Sequence, residues 1–297
     1  MHDDQLHIDA DIARSMIAEQ FPRYRGEPVV LLVATGTTNA IFRVGRHVAA
    51  RFPLRADEPD ACLATLHREA AAMAAFAEQS PFAASQPIGI GAPGPHYPLP
   101  WSLQSWLEGD VATPDGLSAS IAFARDIAGL IARLRRVDTQ GRRFAGEGRG
   151  GHLPDHDAWM AVCFEKSEGL LDVARLRDTW RRLRTLPSVG PDRMTHGDLI
   201  PWNLLVRGEN LVGVLDTGGF GPADPALDLV AAWHLFDRDR RELIRTLLGS
   251  GEVEWKRGAA WAFQQAMGLV WYYRASNPAM AALGRSTLTR LLEDADL

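Results

Sequence analysis

Cysteine is scarce. The chain has 297 residues and two cysteines, Cys62 and Cys163, far apart and outside any CxxC pair. That excludes a disulfide scaffold and a structural zinc knuckle, and it fits a reducing compartment. Long apolar runs are missing too. The longest, residues 70–77, is far short of a bilayer span. The first residues, Met1-His2-Asp3-Asp4, are acidic and lack a signal-peptide pattern, so a cytoplasmic protein is expected. Positive charge is not in excess. Lys and Arg total 32 against 37 Asp and Glu, a net charge of −5. This speaks against a nucleic-acid-binding face but leaves room for a local anion site. No fixed-period repeat and no low-complexity tract is present. What remains is an ordinary globular composition, 46% apolar and 23% charged, with length for one large domain or two lobes.

Ile8, Ile12, Met16 and Ile17 recur at helical spacing, which predicts a helix from Asp9 to Phe21 with Asp9 as N-cap and Pro22 as stop. Residues 29–33, 40–44 and 48–52 read as three short antiparallel strands with turns at 36–39 and 45–47. The Ala-rich stretch 58–79 predicts a long helix. Residues 81–100, dense in Pro and Gly, read as loop or irregular strand, and 101–109 as one more strand running into a connector. Beyond that the pattern is helical. Ile121, Ala124, Ile127, Ile131 and Leu134 form one stripe, and 159–171, 176–186, 227–236, 241–248 and 255–274 are further helices. Strands with one long helix come first and helices second. The expected architecture is α+β in two lobes, 1–105 and 106–297.

The most informative stretch is Thr195-His196-Gly197-Asp198-Leu199-Ile200-Pro201-Trp202-Asn203, followed by Gly213-Val214-Leu215-Asp216. It sets out an Asp, an Asn and a second Asp, the last two carried by a predicted hairpin. Phosphoryl transfer uses such a set: one carboxylate for the hydroxyl proton, an amide oxygen and a second carboxylate for magnesium. The competing reading is a polar turn between strands. Asp216-Thr217-Gly218 also matches the D-T-G of aspartic proteases, but those need two carboxylates sharing a proton, and a second D-T-G is absent. Asp155-His156-Asp157 has no further His or Cys at ligand spacing and suggests no transition metal.

This stretch resembles the H-G-D-x-x-x-x-N signature of the aminoglycoside phosphotransferase family, bacterial small-molecule O-phosphotransferases with a protein-kinase-like fold. The segment Asp224-Pro225-Ala226-Leu227-Asp228-Leu229 is similar to the family's G-D-P-x-x-D-L, with Ala223 replacing Gly. The resemblance covers nearly the whole chain. It implies a small antiparallel-sheet N-terminal lobe and a larger, mostly helical C-terminal lobe. It implies Asp198 as catalytic base with His196 bracing the loop, Asn203 and Asp216 as Mg²⁺ ligands, and Asp228 as a support. Gly36, Thr37 and Thr38 would cover the phosphates. Arg51 stands where kinases carry Lys and would steady them, paired with Glu69 or, alternatively, Glu58. The connector around Gln104 and Trp106 would grip the base of ATP or GTP. The acceptor is expected to be a small hydroxylated molecule, with aminoglycosides and macrolides the classes on offer, and no nucleic-acid or membrane partner is expected. Charge between residues 151 and 187 is balanced, six acids against six bases, so it does not favour a polycationic acceptor. The acidic stretch 293–297 reads as a frayed tail. A rival reading, supported by Arg51, is a kinase-fold module that binds nucleotide or ligand without transfer.

Overall fold

The protein was examined as a computed structural model, which describes residues 6–32, 39–55, 57–146, 148–294 and 297. The chain divides into two compact units. The first comprises residues 1–78, 83–108 and 216–219, the second 79–82, 109–215 and 220–297.

The first unit opens with helix α1 (Ala10–Gln20). Asp9 caps it, accepting the N–H groups of Asp11 and Ile12 at 3.0 and 2.9 Å. Strands β1 (Val29–Leu32), β2 (Asn39–Val44) and β3 (Val48–Pro53) follow, then helix α2 (Pro59–Gln79) and strands β4 (Ala83–Ala84), β5 (Pro87–Gly91) and β6 (Trp101–Ser105). Five strands make one antiparallel sheet in the order β1-β2-β3-β6-β5. Residues 81–100, expected as loop or irregular strand, therefore contain β5, an edge strand that starts on Pro87, where a missing N–H is tolerated. Alternation sorts the sheet's faces. Phe42, Ala50, Phe52, Trp101 and Leu103 are buried, and they join Ala13, Met16 and Ile17 of α1 in one apolar core. Phe52 and Trp101 stack with centroids 4.6 Å apart. The intervening residues Arg51, Ser102 and Gln104 are left for the opposite face, where they line a cavity with α2.

The second unit contains β7 (Asp110–Val111), α3 (Ile121–Leu134), α4 (Asp157–Lys166), α5 (Val173–Leu183), β8 (Arg193–Thr195), β9 (Leu204–Arg207), β10 (Asn210–Val214), β11 (Gly221–Ala223), α6 (Val230–Leu235), α7 (Arg238–Leu248), α8 (Glu252–Tyr272) and α9 (Pro278–Glu293). The hairpin read from the sequence is β9–β10, turning at Gly208. Helix α8 is buried almost all round, as a central helix must be. Helix α9 went unread in the sequence, although Asn277 caps it and Pro278 occupies its first turn. A Cβ on Gly284 would lie 2.8 Å from the Ala266 carbonyl oxygen, so α8 and α9 approach closely only because that residue is Gly. The expected frayed tail is partly wrong: the half-buried Asp294 forms an ion pair with Arg241 at 3.1 Å.

Several charged and polar side chains buried in this unit are paired with one another. Asp224 takes Arg257 and the indole N–H of Trp261, the latter at 2.8 Å, and both charged side chains are 3% exposed. His234 is fully buried, with Nδ1 2.8 Å from the Thr287 hydroxyl. Burial pushes its pKa down to about 4. Cys62 and Cys163 are buried free thiols. Among the described residues no helix is long and apolar enough to cross a membrane.

Two outcomes are expected. Asp224→Ala leaves the Arg257 guanidinium buried without its partner and should cost about 3–5 kcal/mol, read as a lower urea midpoint at unchanged slope. His234 is protonated in the unfolded chain near pH 6.5 but in the folded one only near 4. Its contribution is complete above pH 6.5 and is lost as pH falls toward 4. Unfolding titrations should show a loss of up to about 3 kcal/mol across that window, flattened in His234→Gln.

Candidate active site

Strand β8 pairs with β11 and delivers the chain into His196-Gly197-Asp198. Gly197 sits at φ +87°, a left-handed conformation that costs glycine little. The turn hangs on Asp228. Its two carboxylate oxygens accept the N–H groups of His196 and Gly197, both at 2.9 Å. Burial pushes the Asp228 carboxyl up from its ordinary range, and these two N–H groups and Arg135 work against that. His196 is buried. Its Nδ1 accepts the Asp198 N–H at 3.2 Å, so Nε2 carries the proton and donates to the Leu215 carbonyl at 2.9 Å. Leu215 in turn donates its N–H to the Asn203 carbonyl at 2.8 Å. The hairpin and the loop are thereby tied together.

Asp198 is held by three side chains. Oδ1 accepts Arg149 Nη2 at 2.6 Å and Gln265 Nε2 at 2.7 Å. Among the described residues Oδ2 accepts only Asn203 Nδ2, at 3.2 Å, and the same Nδ2 donates to the Asp198 carbonyl at 2.8 Å. The arrangement leaves Oδ2 as the less committed oxygen. It also turns the amide oxygen of Asn203 away from the carboxylate. A cavity of about 500 Å³ opens beside this group, lined by Gly148, Arg149, His156, Trp159, Gly197 and Gln264. Burial pushes the His156 imidazole down, toward its neutral form.

The first unit carries Arg51 and, on its residues 216–219, Asp216. Arg51 Nη2 lies 3.2 Å from Asp216 Oδ1. The sequence paired Arg51 with Glu69 or, alternatively, Glu58; the structure gives Arg51 an ion pair with Asp216. Asp216 has φ +55°, a left-handed turn that Asp tolerates and that aims its half-exposed carboxylate at Arg51. Glu69 remains a neighbour. Its stem packs where a Cβ on Gly218 would fall, and burial pushes its carboxyl up from the ordinary range, with Arg51 working against that. A cavity of about 360 Å³ is lined by Arg51, Glu69, Met73, Ile90, Ser102 and Gln104. Trp106 gives its backbone N–H to the His47 carbonyl at 2.8 Å, and the Arg43 guanidinium lies 4.7 Å from its ring centroid. Gly36, Thr37 and Thr38 lie outside the described residues.

Sequence reading missed Arg149 and Gln265, both far along the chain from Asp198. An Arg in a Gly-rich loop and a Gln in a helix carry no local signal of their partner. His156, read as one of a solvated trio, lines the cavity. Asp157 from the same trio accepts Arg184 and the Trp180 indole N–H.

The model of the phosphotransferase enzyme family matches residues 29–261. Solved structures align over nearly the full length. The GDP complex of aminoglycoside 2'-phosphotransferase-IIIa is 17% identical, with 96% of this chain and 99% of that chain covered and a TM-score of 0.69. For the macrolide 2'-phosphotransferase MphH from Brachybacterium faecium the values are 18%, 93%, 97% and 0.59. For the streptomycin–ATP–APH(2")-IIa ternary complex they are 15%, 98%, 98% and 0.59. Comparison with curated proteins returns no match. At these identities the structural likeness is one of fold, the α+β protein-kinase-like fold. The family match, spanning most of the chain, goes further: the chain belongs to the phosphotransferase enzyme family and is a small-molecule kinase.

Proposed function

We propose that the protein moves the γ-phosphoryl group of ATP to a hydroxyl of a small amphiphilic acceptor, with Asp198 as the base. The observation that carries this is the asymmetry of the Asp198 carboxylate. Two close donors fix Oδ1, and Oδ2, with one long contact, is the atom that takes the hydroxyl proton. The GDP and ATP complexes among the structural neighbours support a purine nucleotide as donor. In this reading Arg51 steadies the phosphates, Glu69 braces it within the same cavity, and Gly36, Thr37 and Thr38 cover the phosphates. Gln104 and Trp106 flank the base. The Trp106 N–H is already given to His47, so the base is met by other groups of that connector.

Asn203 and Asp216 are the residues that would hold Mg²⁺. Both suit a hard cation: Asn203 has its amide nitrogen tied to Asp198 and its oxygen free to coordinate, and Asp216 offers a half-exposed carboxylate. Among the described residues no group of three or more His, Cys, Asp or Glu forms a metal cage. Magnesium in a nucleotide site asks for none, since phosphates and waters complete its shell. When bound it neutralises charge developing on the phosphates.

The acceptor class follows from charge. An aminoglycoside is a polycation and calls for carboxylates. The described lining beside Asp198 holds none; it offers Arg149, a neutral His156 and Trp159, which is 39% exposed. A macrolide-like, amphiphilic hydroxyl compound fits that wall better.

Asp198→Asn keeps the shape and removes the base. Turnover should fall by about 10²–10⁴-fold with nucleotide affinity nearly unchanged, measured by ADP release and by calorimetry. Turnover like that of the unaltered protein would refute the assignment. A mass-spectrometric panel with ATP and Mg²⁺ should find a phosphoryl group added to macrolides and none added to kanamycin or gentamicin. The reverse result would overturn the acceptor class alone.

A further inference from the structure

Behind Asp198 a line of buried polar side chains runs into the helices. Gln265 on α8 donates Nε2–H to Asp198 Oδ1 at 2.7 Å. Its Oε1 lies 3.1 Å from His234 Nε2 on α6, and His234 Nδ1 lies 2.8 Å from the Thr287 hydroxyl on α9. All three residues are buried: Gln265 is 8% exposed, His234 and Thr287 not at all. The protons can be assigned. An ionised carboxylate only accepts, so Gln265 must turn its NH₂ toward Asp198 and its carbonyl toward His234. His234 must then carry its proton on Nε2 and accept the Thr287 O–H on Nδ1. Every bond donates toward Asp198, and each polarises the next. The line requires a neutral imidazole, and the burial of His234 supplies one.

We infer that Gln265, His234 and Thr287 are positioning residues for the transfer reaction, holding Asp198 in the orientation that reserves Oδ2 for the acceptor hydroxyl. The inference rests on Asp198 being the base. Burying three polar side chains among packed helices is unfavourable unless each is satisfied. Here each finds its partner in the next, and the end of the line is the reacting carboxylate. Arg149 contacts the same Oδ1 from a loop and is more exposed, 25% by side chain, so it adds charge where Gln265 adds direction. No proton passes along the line. Its work is alignment, and a misaligned base costs rate rather than binding.

The test uses Thr287→Val, which keeps the shape and deletes the distant hydroxyl, with Thr287→Ser and Gln265→Leu as companions. The probe is ATP with Mg²⁺, in one arm with water as the acceptor and in the other with erythromycin. Thr287→Val should lower kcat by on the order of 3- to 10-fold and leave KM for ATP unchanged. Thr287→Ser should restore the rate. In a Gln265→Leu background Thr287→Val should have no further effect, because the line is already cut. Equal rates in Thr287→Val and the unaltered protein, or losses that multiply in the double variant, would overturn the inference. If the unaltered protein turns over ATP in neither arm, the phosphotransfer reading is what fails. The ¹⁵N ring shifts of His234 then decide the line itself. An Nε2–H tautomer that loses its protection in Gln265→Leu upholds it, and one that does not respond refutes it.

Discussion

The candidate site depends on one buried carboxylate set behind the turn that carries Asp198. Asp228 accepts two successive backbone N–H groups, those of His196 and Gly197, and so fixes the turn by which the chain leaves β8. A carboxylate that takes two N–H groups holds the backbone as firmly as a short piece of sheet would, and it can do so where the chain must bend. Given that bend, His196 reaches Leu215, Asn203 reaches back to Asp198, and Asp198 faces Arg149 and Gln265. Without it, none of these distances is set.

Burial makes the arrangement demanding. Asp228, Asp224 and Arg257 are almost wholly removed from water, the two carboxylates meeting N–H donors and the guanidinium meeting the Asp224 carboxylate and the Leu186 carbonyl. Removing one partner leaves a charge that the helical core cannot solvate, which is why such groups act together. The second unit therefore carries a polar skeleton inside its apolar packing. The first unit does not: its core is aliphatic and aromatic, and its charged residues Arg51 and Glu69 lie on the opposite face of the sheet.

Much of this was legible in the sequence where the cause is local. The Asp9 cap, the alternating strands, the apolar stripe of α3 and the hairpin after Asn203 are each written in neighbouring residues, and the structure has them. The spacing of Asp198, Asn203 and Asp216 was readable for the same reason. What escaped is long-range. Asp198 meets Gln265 and Arg149 only after folding, and neither has a motif around it. Arg51 was assigned to a Glu on the strength of the family resemblance, while the Asp216 contact depends on a positive φ that sequence does not announce. Helix α9 was missed although its Asn-Pro start is a readable signal; the acidic residues beyond it suggested a tail.

Three donors on one carboxylate say something about the kind of chemistry the site favours. Phosphoryl transfer passes through a loose transition state, in which the attacking oxygen must be in line but little proton transfer has yet occurred. Such a reaction rewards a base that is held still. Proton removal from carbon would instead favour a carboxylate with few partners in an apolar pocket, where its proton affinity is raised. Asp198 is surrounded by polar groups from a loop, from Asn203 after the turn and from α8, and one oxygen accepts both Arg149 and Gln265. On the proposal that Asp198 is the base, this geometry suits a reaction in which alignment of the hydroxyl matters most, with Gln265 on α8 helping to keep that alignment.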